Sequence, residues 1–183
     1  MNIAVFCASS DPRDNALADA VRRLGVLMAE CGHTLVYGGS NLGIMGLVSG
    51  SVLKHGGRVI GVIPTIFSEE IITSQPVSEL VRVSSMAERK ERIISISDAF
   101  VALPGGIGTL DEVLEVLVAN QLKQIDKPIA LFNHQGFYDP FLRQLSTMGS
   151  AGFFRSGIPP RLSVIADVAT LAHPECWKPY SES

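Results

Sequence analysis

The chain has 183 residues, 46% apolar and 18% charged, a balance that fits one folded domain and excludes a disordered chain. Its net charge is −3 and no basic tract interleaves with aromatic residues, so nucleic-acid binding has no support. No apolar run approaches the roughly 20 residues of a membrane span. Cys7, Cys31 and Cys176 are odd in number and widely spaced, as reduced thiols are. Met1 to Phe6 carries no basic n-region of a secretion signal, so a soluble, cytoplasmic protein is expected.

The predicted elements alternate along the chain. Ile3 to Cys7 is a continuous apolar run, the mark of a strand covered on both faces. Ala8-Ser9-Ser10-Asp11-Pro12 ends it. Leu17, Ala20, Val21, Leu24, Leu27 and Met28 recur at helical spacing, and Gly32 stands where a C′ residue would end the helix. Thr34 to Tyr37 is the second strand. A glycine loop, Gly38 to Gly46, leads into a helix carrying Met45, Val48 and Val52 that stops at Gly56-Gly57. Val59 to Ile63 is the third strand, closed by Pro64.

Residues 65–80 sustain no period, and long loops in compact domains are more often functional than idle, so a substrate-side loop is expected there. Val81 to Val83 reads as a short strand. Ser85-Met86-Ala87-Glu88 fits a capping box that opens a helix running to about Ser97. A buried strand over 99–103 and a helix over about 110–123 follow. Pro128 to Phe132 is a strand, Tyr138 to Met148 a helix, Leu162 to Ile165 a short strand, and Asp167 caps a last helix. The tail after Pro174 carries no signal. The alternation predicts a single α/β domain over 1–183, a doubly wound parallel sheet with helices on both faces. In such sheets ligands bind beyond the carboxyl ends of the strands, where strand order reverses. Ser9-Ser10 and both glycine loops are expected at that edge.

The stretch richest in chemistry is Pro104-Gly105-Gly106-Ile107-Gly108-Thr109-Leu110-Asp111-Glu112. A strand, a glycine loop and a helix start present backbone N–H groups to an anion, so this loop is expected to hold a phosphate with Glu112 beside it. Thr109-x-x-Glu112 also fits a capping box, in which Glu112 would do no more than close the helix start. Glu115 lies one turn on, near the same face. No Lys follows the last glycine, so the triphosphate-loop spacing fails, and the 38–46 loop does not match the dinucleotide fingerprint. Arg89 falls three residues after Met86 and four before Ile93, on the apolar stripe of its helix. It either snorkels to the rim or a structural carboxylate, or it pairs with Glu112 or a ligand anion. Lys90, Glu91 and Arg92 read from spacing as a solvated face. His33, His55, His134 and His173 show no ligand spacing, and no metal site is expected.

With these motifs in view the sequence resembles the Lonely Guy (LOG) family, the cytokinin riboside 5′-monophosphate phosphoribohydrolases, whose members are often mislabelled lysine decarboxylases. The family's P-G-G-x-G-T-x-x-E is present as Pro104 to Glu112 and its M-x-x-R-K as Met86 to Lys90. Phe6-Cys7-Ala8-Ser9-Ser10, Tyr37-Gly38-Gly39, Gly43-Ile44-Met45-Gly46, Gly61-Val62-Ile63-Pro64 and Asp126-Lys127-Pro128 also match, and the likeness covers about residues 2–155. It implies a Rossmann-like fold, usually dimeric, that needs no cofactor. It also implies hydrolysis of the N-glycosidic bond of a nucleoside 5′-monophosphate to adenine, or an N6-substituted adenine, and ribose 5-phosphate. By motif position Arg89 and Glu112 are the implied catalytic pair, and Gly105, Gly106, Gly108 and Thr109 the implied phosphate loop. Ser9, Gly39, Gly43, Met86, Lys90 and Glu115 complete the expected substrate-binding set. The sequence departs from the family at Ser40, Ser85, Ala87 and Ala119, positions near the base pocket or dimer face.

Glycosidic cleavage passes through an oxocarbenium-like ribosyl cation, which a carboxylate can stabilise without a metal. Molybdenum-cofactor carrier proteins look similar around the glycine loop, so a non-catalytic carrier of a phosphorylated ligand is a second expectation. A nucleosidase for other nucleoside monophosphates is a third. A lysine decarboxylase is disfavoured, because no lysine sits in a pyridoxal-phosphate context.

Overall fold

A computed structural model of the chain describes residues 1–67, 77–153, 159 and 161–172. Most of the expected substrate-side loop (68–76) and the tail after Pro174 lie outside the described residues. Among the described residues, seven strands form one parallel sheet: β1 (Asn2–Phe6), β2 (Thr34–Tyr37), β3 (Arg58–Pro64), β4 (Glu79–Val83), β5 (Ala99–Ala102), β6 (Ile129–Phe132) and β7 (Leu162–Ile165). Five α-helices connect them: α1 (Asn15–Glu30), α2 (Gly43–Lys54), α3 (Met86–Ile96), α4 (Ile107–Gln121) and α5 (Asp139–Ser150).

The strand order is β4-β3-β2-β1-β5-β6-β7. From β1 the chain winds outward to β4, then returns to the other side of β1 and winds outward again. The reversal falls between β1 and β5, which pair from Ile3↔Ala99 to Phe6↔Ala102. β1 also pairs with β2 from Asn2↔Thr34 to Ala4↔Val36.

Successive side chains of a strand point to opposite faces, and both faces here are covered. Ile3 and Val5 of β1, with Leu35 and Val101, pack against Leu17, Val21 and Leu24 of α1 and Val48 and Val52 of α2. Ala4 and Phe6, with Val36 and Phe100, pack against Ile93 of α3, Val113 and Leu117 of α4 and Leu145 of α5. This doubly covered arrangement explains why the strands read as unbroken apolar runs rather than alternating ones.

Several element ends differ from the sequence reading. β4 starts at Glu79, inside the stretch expected to be loop, because it pairs with β3 from Ile60↔Glu79 onward. The helix expected after Asp167 is a short 3₁₀ segment, Val168–Ala172, although the Asp167 carboxylate does accept the Ala169 N–H at 3.0 Å. The capping box at α3 is displaced by one residue on one arm. Ser85 Oγ accepts the Glu88 N–H at 3.1 Å, whereas the Glu88 carboxylate accepts the N–H and hydroxyl of Ser84, at 2.7 and 2.6 Å. At the far end of α3, Lys127 Nζ donates to the Ile94 carbonyl at 2.7 Å, closing the helix with a cation near its negative end.

Candidate active site

The carboxyl ends of β1, β2, β3 and β5 open into one cleft of ≈ 380 Å³. Cys7 to Ser10 form its β1 side, and Gly38, Ser40, Leu42 and Met45 its β2–α2 side. Ile63 and Phe67 follow β3, Met86 and Arg89 come from α3, and Gly106, Gly108, Thr109, Asp111 and Glu112 come from the β5–α4 turn. Segments more than 100 residues apart thus meet at the switch point, as expected for a doubly wound sheet.

Helix α4 begins at Ile107 with Gly106 as its N-cap, earlier than the start near Leu110 read from the sequence. The first intrahelical bond runs from the Leu110 N–H to the Gly106 carbonyl at 3.1 Å. The N–H groups of residues 107–109 therefore have no acceptor within the helix. No acidic residue occupies this first turn, so the positive end of the helix is not offset by a side chain of its own. Thr109 is third in the helix rather than its cap, which removes the Thr109-x-x-Glu112 capping box as an explanation of Glu112. Glu112 sits in the second turn and is 7% exposed.

Arg89 reaches it from α3. Its Nη2 lies 3.4 Å from Glu112 Oε1, and Arg89 is likewise 7% exposed. Arg89 is thus a buried ion-pair partner and does not snorkel to the rim. Its Nη1 lies 3.8 Å from the Met86 sulfur, and its Nε has no hydrogen-bond acceptor among the described residues. Space for the guanidinium exists only because residue 38 is glycine: a Cβ there would stand 2.0 Å from Arg89 Nη2. Gly105 does the same for Thr109, whose Oγ1 would be 2.2 Å from a Cβ at 105.

Burial pushes the Glu112 carboxyl up to about 7, against the opposing pull of Arg89. Asp111 and Glu115 add to the rise, and Lys90 counters it. Cys7 lies buried beside the pair, and burial first, then the Glu112 charge, push its thiol well above the ordinary range. It stays a neutral thiol, so it offers no nucleophile.

Of the residues expected from sequence, Ser9, Met86, Arg89, Gly106, Gly108, Thr109 and Glu112 line the cleft. Gly39 and Gly43 do not. They have φ of +77° and +54° and bring loops together, and a Cβ on Gly43 would meet the Ser10 carbonyl oxygen at 2.4 Å. Gly105 stands behind Thr109. Lys90 and Glu115 also lie outside the cleft, bound to each other at 2.6 Å. Sequence reading missed Cys7 and Asp111 as lining residues, and it missed the role of Gly38. It also missed Tyr138, 1% exposed, whose hydroxyl donates to the Leu103 carbonyl at 2.6 Å. That carbonyl immediately precedes the Pro104-Gly105-Gly106 loop. A glycine directly after an apolar strand was the one available signal for Gly38; a lone tyrosine gave none for Tyr138.

The fold and cleft define a Rossmann-like α/β protein whose cleft joins the open N–H groups of a helix start to a buried Arg–Glu pair. No helix among the described residues is long and apolar enough to cross a membrane. A family model described as "Possible lysine decarboxylase" matches residues 45–174. "Cytokinin riboside 5'-monophosphate phosphoribohydrolase LOG" of Oryza sativa subsp. japonica is 47% identical over 151 residues, covering 82% of this chain and 62% of the rice protein. The LOG1 protein of that activity name from Arabidopsis thaliana is 42% identical over 151 residues, covering 82% of this chain and 71% of its own length. The chain belongs to this LOG family. Among solved structures, the molybdenum cofactor carrier protein of Chlamydomonas reinhardtii superposes with a TM-score of 0.68 at 26% identity, over 93% of this chain and 92% of the carrier. The matched stretch spans less than two thirds of the rice relative's length, at 62%.

Proposed function

We propose that the protein hydrolyses the N-glycosidic bond of a nucleoside 5′-monophosphate, releasing the free base and ribose 5-phosphate. AMP or an N6-substituted AMP, such as a cytokinin riboside 5′-monophosphate, is the substrate class. One observation carries this reading: the buried Arg89–Glu112 pair, 3.4 Å apart, stands one turn from the open N–H groups that begin α4. A carrier needs an anion cradle but has no use for a buried carboxylate next to it.

The chemistry follows from that spacing. The 5′-phosphate sits on the first turn of α4 with Gly106, Gly108 and Thr109, and its binding energy positions the ribose. Glu112 then faces the sugar. As the bond to the base breaks, its electron pair leaves with the base, which takes up a proton. Positive charge develops on the ribosyl ring, which the Glu112 carboxylate stabilises, and water adds at C1′. Arg89 favours the ionised form of Glu112, opposing the burial that favours the neutral acid. No metal or cofactor has a part in these steps.

The reading includes a cytoplasmic homodimer. Ile107, Leu114 and Val118 share one face of α4 and are 88%, 44% and 51% exposed, an apolar surface that supports pairing with a second copy. The structural likeness to a molybdenum cofactor carrier supports a second reading, a non-catalytic carrier of a phosphorylated pterin.

The test is product analysis with AMP, an N6-substituted AMP, CMP and adenosine, wild type beside Glu112→Gln. Free base and ribose 5-phosphate are expected from the adenine nucleotides, far less from adenosine, and about 10²–10⁴-fold less from the variant. Equal cleavage of adenosine and AMP would remove the phosphate anchor. Absence of any product, with tight pterin binding, would replace the hydrolase with the carrier.

A further inference from the structure

Helix α3 presents two adjacent cations, and consecutive helical residues point about 100° apart. Arg89 turns inward to Glu112. Lys90 turns along the outside of the same helix pair, where its Nζ meets Asp111 at 2.9 Å and Glu115 at 2.6 Å. These carboxylates flank Glu112 on α4, one residue before it and three after. We propose that Lys90 is a positioning residue of the site, which from outside the cleft neutralises the two carboxylates flanking Glu112 and so keeps Glu112 in its charged, working form. The proposal rests on the hydrolase reading for what that charge does, but not for the charge itself.

Three carboxylates within five residues of one helix repel one another, and the buried one would lose its charge first. Every charged group that faces Glu112 belongs to the same account. Arg89 and Lys90 approach from α3, Asp111 and Glu115 lie on α4, and the neutral Cys7 thiol closes the β1 side. Lys90 is also unlike an ordinary surface cation. Its side chain is 19% exposed, whereas the pair Arg22–Asp19 is 54% and 76% exposed and is screened by water. Its partners Asp111 and Glu115 are 57% and 37% exposed, so water screens them only in part when Lys90 is removed. The M-x-x-R-K pattern thereby acquires a use for its last residue that needs no contact with substrate.

The experiment compares wild type with Lys90→Met, Lys90→Arg and the double variant Lys90→Met/Glu115→Gln. Two quantities are read across pH: the Glu112 carboxyl titration by carbon-detected NMR, assigned with Glu112→Gln, and kcat/KM for AMP. In Lys90→Met both the titration and the acid limb of the rate profile move up by about half a pH unit, about threefold in rate on the acid side, with the curves converging at high pH. Lys90→Arg keeps the wild-type profile, and removing the Glu115 charge in the double variant moves the titration back toward wild type. A Lys90→Met protein that unfolds more easily and loses rate equally at all pH values, with Glu112 titrating as in wild type, would overturn the proposal. Should the chain fail to cleave any nucleotide, the NMR titration still decides the role of Lys90, while the hydrolase reading falls separately.

Discussion

Gly38→Ala isolates what the Arg89–Glu112 pair contributes. The backbone at 38 is outside the left-handed region, so alanine meets no conformational penalty and any effect comes from the added methyl. That methyl would stand 2.0 Å from Arg89 Nη2, 3.0 Å from its Cζ and 3.0 Å from the Met45 sulfur. Non-bonded atoms settle at about 3.5–4 Å, so the guanidinium must shift by about 1.5 Å, which disturbs its contact with Glu112. Stretching the pair from 3.4 Å to about 5 Å, at an effective dielectric of about 20, weakens its attraction by about 1–2 kcal/mol. That is about one pH unit on Glu112, upward. Overpacking adds about 1–3 kcal/mol of destabilisation, limited here because the obstructing group is the end of a long side chain. If the pair works as proposed, activity suffers more, about 10²-fold, since a displacement of more than 1 Å misaligns it. The assay pairs kcat/KM for AMP across pH with urea unfolding. A large activity loss with a modest loss of stability is expected. Wild-type kcat/KM in a folded Gly38→Ala protein would refute the claim that glycine is there to admit the guanidinium.

Other outcomes follow from the same geometry. Gly105→Ala places a methyl 2.2 Å from Thr109 Oγ1, so under the proposed function it raises KM for nucleotides while leaving any cleavage of nucleosides unchanged; parallel loss on both substrates would separate Thr109 from the phosphate. Tyr138→Phe leaves the buried Leu103 carbonyl without its 2.6 Å donor and lowers stability by about 1–3 kcal/mol in chemical denaturation. Glu112 makes folding pH-dependent, because its carboxyl is raised from the ordinary 4.5 to about 7 by burial. The native state binds this proton more tightly than the unfolded chain does. The resulting stabilisation is fully present below about pH 4.5 and is lost as pH rises to about 7, about 3 kcal/mol in all. Glu112→Gln removes this dependence, and unfolding curves of the two proteins at pH 5 and pH 8 that shift in parallel would contradict it.

The sheet was legible in the sequence for a simple reason. Ile3–Phe6, Leu35–Tyr37, Val59–Ile63, Ala99–Ala102 and Ile129–Phe132 are short apolar stretches of strands covered on both faces. Arg89 was legible as inward-facing because it interrupts an apolar helical stripe. The start of α4 was not legible. Gly106 and Gly108 read as loop, since glycine disfavours helix interiors. They fit a helix start because the first-turn N–H groups need no partner there, and the glycines leave them open to an anion. The two-residue extension of β4 escaped notice too, because its partner strand supplies the order that its own composition does not.

What the sequence determined by itself is the alternation of elements, the two glycine loops at one sheet edge and the presence of an inward cation and a nearby carboxylate. The tertiary structure alone decided the pairing. Arg89 and Lys90 are neighbours in sequence, as are Asp111 and Glu112, yet Arg89 takes Glu112 and Lys90 takes Asp111 with Glu115. Periodicity reports which face of a helix is buried, not which residue lies opposite it across 20 or so positions of intervening chain. That depends on β5 lying beside β1, which brings α3 and α4 together on one face of the sheet, and on the absence of a side chain at Gly38.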